Sequence, residues 1–121
     1  MDRISRMIQS LEAFASEEIQ IKAWVEKIPN FSIHFWIPEL VCDWFDGAMR
    51  QKSPNELVMT QEITQEQRDI IAPFHERLRQ FYDTHYNKNF EKSPRLLLEY
   101  DPWLELRELA HLTIEKLKAV K

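Results

Sequence analysis

Glycine is almost missing from this chain of 121 residues, which has one, at position 47, where average composition supplies about 7%. Hairpin turns and phosphate-cradling loops draw on glycine for backbone with positive φ, so both are poorly supplied here. A GxSxG elbow, a phosphate loop or a dinucleotide fingerprint cannot be built in its usual form. Cysteine is equally scarce. The single Cys42 cannot close an internal disulfide, which suits a reducing compartment. No apolar run approaches the roughly 18 to 20 residues needed to span a bilayer. The N-terminal MDRISRMIQSLEAF mixes charge with spaced apolar residues and lacks a signal-type apolar stretch. These absences lead to the expectation of a soluble, cytoplasmic protein without a membrane partner.

A concentrated basic surface is also lacking. The formal charge is −4, unevenly divided: residues 1–66 carry −5 and residues 67–121 carry +1. The cations are scattered, apart from a short tail at Lys116, Lys118 and Lys121. A phosphate-binding surface gathers Lys and Arg into a patch or stripe. Nucleic acid is therefore not an expected partner.

What is present is a well-supplied interior. The apolar fraction is 44%, with seven Phe, four Trp and three Tyr. That composition and length fit one folded domain, residues 1–121, with a core large enough to stand without metal or disulfide. The apolar residues recur at helical spacing. Ile4, Met7, Ile8, Leu11 and Phe14 form one stripe. Ser16 can cap a second helix, with Glu17 and Glu18 in its first turn and Ile21, Trp24, Val25 and Ile28 on one side, ending at Pro29 and Asn30.

The stretch FWIPELVCDWFDG (35–47) packs aromatics, Cys42, Gly47 and three carboxylates together. Ile33, Trp36, Ile37, Leu40, Val41, Trp44, Phe45 and Ala48 continue one apolar face. Pro38 fits a first helical turn. Glu39, Asp43, Asp46 and Arg50 then project on the opposite, solvated side, and Gly47 weakens the helix near its end. Residues 52–63 read as a loop. Thr64 and Gln67 make a capping box for a long helix with Ile70, Ile71, Phe74, Leu78, Phe81, Tyr82 and His85 on one face. Pro73 lies beyond the first turn and should kink or split it. Ser93–Pro94 can start a short helix. Asp101–Pro102 places a cap before the last one, which turns Leu106, Leu109, Ala110, Thr113, Leu117 and Val120 inward. The expectation is an all-α, single-domain bundle of five to six helices.

Catalytic equipment is hard to find. His34, His75, His85 and His111 form no HExxH pair. His111 and Glu115 are one turn apart, and Glu108 with His111 supplies one Glu-x-x-His unit where a di-iron bundle needs two. Neither a metal nor another cofactor is expected. Cys42 beside an apolar stripe and acidic Asp43 reads as a small packing residue, not a thiolate nucleophile. The carboxylate pairs Glu17/Glu18, Asp43/Asp46 and Glu105/Glu108 read as solvated helix faces, since acid–base work needs two carboxyls in different environments. No enzyme is expected.

A small acidic helical domain of this kind reads as a binding module. Electrostatic complementarity speeds encounter with a basic partner, and aromatic anchors supply affinity. The layout FASEEIQIKAWVEKIPNF, ELVCDWFD, EQRDIIAPFHERLRQFYD, DPWLELRELAHLTIEKLKAV resembles small helical bacterial toxin-immunity proteins, including those of contact-dependent growth inhibition systems. The resemblance spans most of the chain. It implies a cytoplasmic inhibitor that neutralises a cognate toxin domain, such as a basic nuclease, by direct binding. The residues expected to meet that protein partner are Glu39, Asp43 and Asp46, then Glu17 and Glu18. The alternative is a helical adaptor or regulatory interaction protein without catalytic activity, for which a homodimer is one form. A third reading, a ligand-binding bundle or small enzyme, needs a deep pocket lined by Tyr82, His85 or Tyr100.

Overall fold

The computed structural model describes residues 2–27 and 37–120. Among these residues every regular element is a helix and there is no strand. The positions Ile28, Pro29, Asn30, Ile33, His34 and Trp36, together with Lys121, lie outside the described residues, as does the expected helix stop at Pro29.

Helix α1 (Arg3–Ala15) carries its stripe as the spacing requires, with Ile4, Met7, Ile8, Leu11 and Phe14 all buried. Asp2 caps it by accepting the Ser5 N–H at 2.7 Å. Ser16 then ends α1 and starts α2 (Glu17–Gln20), its hydroxyl accepting the Ile19 N–H at 3.1 Å. Residues Ile21–Val25 continue α2 as a wider π turn, closed by a bond from Glu26 N–H to the Ile21 carbonyl at 2.9 Å. Helix α3 (Ile37–Cys42) does the same: Asp43–Ala48 widen into a π segment, closed from Met49 N–H to the Trp44 carbonyl at 2.9 Å. Arg3 reaches across from α1 to donate to the Ala48 carbonyl at 2.8 Å, satisfying an acceptor that a helix end leaves open.

The segment 52–63 is not the loop that the sequence suggests. It holds a short helix, α4 (Pro54–Met59), started by a full capping box between Ser53 and Glu56 with Pro54 at the first position. Helix α5 (Gln65–Thr84) begins at the expected box, with Thr64 and Gln67 exchanging bonds of 2.9 and 3.1 Å. It runs through Pro73 without splitting. Pro73 is exposed, so the carbonyl deprived of its partner lies on the watered side, where the loss is smallest. Two short helices follow, α6 (Asn89–Lys92) and α7 (Pro94–Leu98). Helix α8 (Asp101–Val120) starts one residue earlier than an Asp101 cap would place it: the Tyr100 carbonyl accepts from Trp103 and Leu104 N–H at 2.9 and 3.1 Å. Counting the π segments with the helices they extend, eight helices are described, five of them seven residues or longer.

The interior is organised by α8, which packs against both α1 and α5. Aromatic rings bridge these elements. Trp24 lies 6.1 Å from Trp103, Trp103 6.0 Å from Phe14, Phe14 5.3 Å from Phe74, and Phe74 5.0 Å from Trp44. The last two contacts are edge-on, the arrangement that ring quadrupoles prefer. Trp24, Trp44 and Trp103 are all buried. Gly47 earns its place by proximity: a β-carbon there would meet Arg6 Nη2 at 2.5 Å.

Candidate functional site

The acidic patch expected on α3 is only partly available. Glu39 and Asp46 are exposed. Asp43, expected on the solvated side, is instead half-buried and paired with Arg6 of α1, Oδ1 to Nη2 at 2.5 Å and Oδ2 to Nη1 at 3.4 Å. Asp43 lies at the flank of the buried face of Leu40, Val41 and Trp44, within reach of α1, and the space that Gly47 leaves lets the guanidinium in. A carboxylate engaged in that way is a poor docking group. Cys42 corrects a second expectation. It is exposed, not packed.

Glu17 and Glu18 divide as well. Glu18 pairs with Lys22 one turn on, at 2.7 Å, and that ammonium holds its carboxyl below the usual range. Glu17 is exposed and approaches Arg107 Nη1 of α8 at 3.4 Å. Arg107 itself is only 8% exposed. Its Nη2 donates to Gln20 Oε1 at 3.2 Å, and Trp103 Nε1 donates to the same oxygen at 3.1 Å. The Gln20 amide completes the knot by donating to the Ala13 and Phe14 carbonyls at 2.9 and 2.8 Å. Thus Glu17 stands at the rim of a buried polar junction of α1, α2 and α8.

The largest acidic surface lies elsewhere. Two open grooves run along α8 and share Glu108 and His111. The first, about 900 Å³, has Asp101, Glu105, Glu108 and Glu115 around Leu104, Leu109 and Leu112, with Arg77 of α5 on its edge. Arg77 pairs with Glu105 at 3.1 Å. Among the described residues Asp101, Glu108 and Glu115 have no ion-pair partner. Leu112, 44% exposed, stands in the middle of this face, and Leu104 and Leu109 are half-buried beside it. The second groove, about 680 Å³, lies toward α1 and α2 and includes Glu12 and Glu17. Glu17 is the only one of the five expected contact residues that lines either of the two.

In the sequence Glu105 and Glu108 read as one more solvated helix face, which does not single this surface out. Leu104 and Leu112 stand off the expected inward stripe of Leu106, Leu109, Ala110, Thr113, Leu117 and Val120, so an outward leucine is readable at helical spacing; Leu109 and Val120, expected inward, are only half-buried, and Leu109 lines the groove.

The remaining polar groups are structural or scattered. Tyr82 is 38% exposed, and His85, also exposed, has Nδ1 2.9 Å from the Tyr100 hydroxyl. Tyr82 and His85 stand at the surface while Tyr100 is half-buried against the core, and none of the three lines either α8 groove. His75 is buried, and its Nδ1 accepts from Trp44 Nε1 at 3.1 Å. An indole N–H only donates, so this bond fixes the tautomer with the proton on Nε2. Burial, then the nearby Arg79 charge, push the His75 pKa down. Among the described residues no group of three His, Cys, Asp or Glu side chains could hold a metal ion, and no helix is long and apolar enough to cross a membrane. No family model, curated protein or solved structure matches the chain.

Proposed function

We infer that this is a binding protein for a basic protein partner, acting as a cytoplasmic immunity-type inhibitor that covers the working surface of a cognate toxin domain. The observation that carries the reading is the α8 face, where Asp101, Glu105, Glu108 and Glu115 form a row with a half-exposed Leu112 between the last two. Acids of one sign around an apolar centre steer a cationic partner from a distance and then hold it by burial of the leucine. A nuclease domain, whose own groove must be positive to hold phosphate, has the complementary surface.

The test is co-expression with each gene adjacent to its own in the native genome, scored for rescue from toxicity and followed by affinity measurement on any rescued pair. The reading expects one toxic neighbour whose effect is relieved, a one-to-one complex, and an association rate that falls as salt rises. Rescue by none of the neighbours would retire the inhibitor. A stable complex with a harmless neighbour would make the protein an adaptor instead.

A further inference from the structure

We propose that the α8 groove receives a basic amphipathic helix of the partner, lying along α8 with its apolar side on Leu104, Leu109 and Leu112 and its lysines or arginines over the flanking acids. This rests on the reading of a basic protein partner and specifies how that partner is held. Three features of the face select a helix over a flat basic surface. The first is linear extent: Asp101 to Glu115 covers fifteen residues of one helix, about 21 Å end to end at the usual rise per residue. The second is order. Asp101, Glu105, Glu108, Leu112 and Glu115 follow one another at three- and four-residue steps, so the exposed leucine sits in line with the acids and not apart from them. The third is the shallow groove along this ridge, where Leu104, Leu109 and Leu112 of α8 lie with Arg77 of α5 at the edge, so the apolar side of a partner helix has leucines to pack on.

Charge argues against two copies of this chain meeting through this face. Arg77 at the groove edge and the exposed Lys116 and Lys118 of α8 are the cations near it, against four acids. Two such faces would meet with an excess of negative charge, whereas a lysine-rich helix neutralises Asp101, Glu108 and Glu115 without disturbing the Arg77–Glu105 pair.

The experiment uses two synthetic peptides of identical Leu and Lys composition, one with leucines at helical spacing and one with their order shuffled. Each is titrated into the full chain while backbone amide shifts are followed, and the mass of the free protein is measured by sedimentation. The proposal expects the amphipathic peptide to bind at least tenfold more tightly than the shuffled one. Its shifts should centre on residues 101–116, and Leu112→Asp, an exposed substitution that leaves helix content unchanged, should weaken it at least tenfold. Equal affinity of the two peptides, shifts centred on Glu39 and Asp46, or indifference to Leu112→Asp would overturn the helix-in-groove arrangement and leave a basic partner standing. Failure of both peptides to bind would remove the basic partner as well. A free protein that is dimeric, and becomes monomeric on Leu112→Asp, would assign the face to a second copy and overturn the proposal.

Discussion

At the scale of single residues, two buried polar groups are set by their hydrogen bonds and give measurable consequences. His75 accepts from Trp44 through Nδ1, so the proton that would charge the ring must displace that bond. Its pKa is lowered from an ordinary value of 6.5, which means that the unfolded chain binds the proton more readily than the folded one. Stability contributed by this group is whole above pH 6.5 and is lost as pH falls below 6.5 toward the lower folded value. Urea midpoints measured between pH 8 and pH 5 should therefore decline on the acid side. In His75→Gln, which offers a neutral acceptor, that decline should flatten. A separate step follows at lower pH, because Thr60, Lys52 and Arg3 hold the Glu62 carboxyl down at about 2. That contribution fades only as pH falls from 4.5 toward 2.

Gln20 is the second such residue. Four bonds converge on its side chain, two to carbonyls in the last turn of α1 and two from Trp103 and Arg107. Gln20→Leu keeps volume but strands every one of these partners away from water. Each stranded group costs about 1 to 3 kcal/mol, with partial relief by relaxation, so a total near 3 kcal/mol is expected in chemical unfolding. A loss under 1 kcal/mol would show that the junction is more hydrated than its burial implies. Nothing local marks this site, since a lone glutamine in SEEIQIKAW has no visible partner until α8, more than eighty residues later, folds back onto it.

Among the elements, what could be read ahead of the structure depended on how local the signal was. The stripe of α1, the Ser16 cap, the Thr64 box and the Pro94 start each involve residues within a few positions of one another, and each is present as read. The α4 helix was equally legible, because Ser53-Pro54-Asn55-Glu56 is itself a capping box with a proline at the first position; weak apolar spacing in 52–63 hid it. The π turns after α2 and α3 were not legible. They leave no local signature in the sequence, and neither does the pairing of Asp43 with Arg6, thirty-seven residues away. Chain reversal also had to be managed without glycine. Lys27, Arg50, Gln51 and Gln61 take positive φ, whereas Gly47 does not, although each such residue costs roughly 1 kcal/mol relative to glycine.

Pro73 supplies the test at this scale. Helix α5 absorbs it in mid-course on the exposed side, so Pro73→Ala should restore a backbone bond without disturbing packing. Proline in a helix interior costs about 3 kcal/mol, and its restriction of the unfolded chain returns up to about 1 kcal/mol. A net gain of about 2 kcal/mol in thermal or urea unfolding is expected. A loss on this substitution would mean that α5 needs the bend proline imposes.

For the molecule as a whole, the aromatic contacts from Trp24 through Trp103, Phe14 and Phe74 to Trp44 tie five helical segments into one interior, and most of the acids are left outside, with Asp43, Glu62 and Glu91 half-buried. Which acids matter is a different question. Free carboxylates on α3 reduce to Glu39 and Asp46, while α8 offers a longer row around an exposed leucine. Under the proposed function, recognition belongs to α8. The direct measurement is toxicity rescue by two double variants, both on exposed residues, co-expressed with whichever adjacent gene proves toxic and is relieved by the unaltered chain. Glu108→Lys with Leu112→Asp should abolish protection at unchanged protein level, while Glu39→Lys with Asp46→Lys should retain it. Protection kept by the α8 variant and lost by the α3 variant would contradict the account.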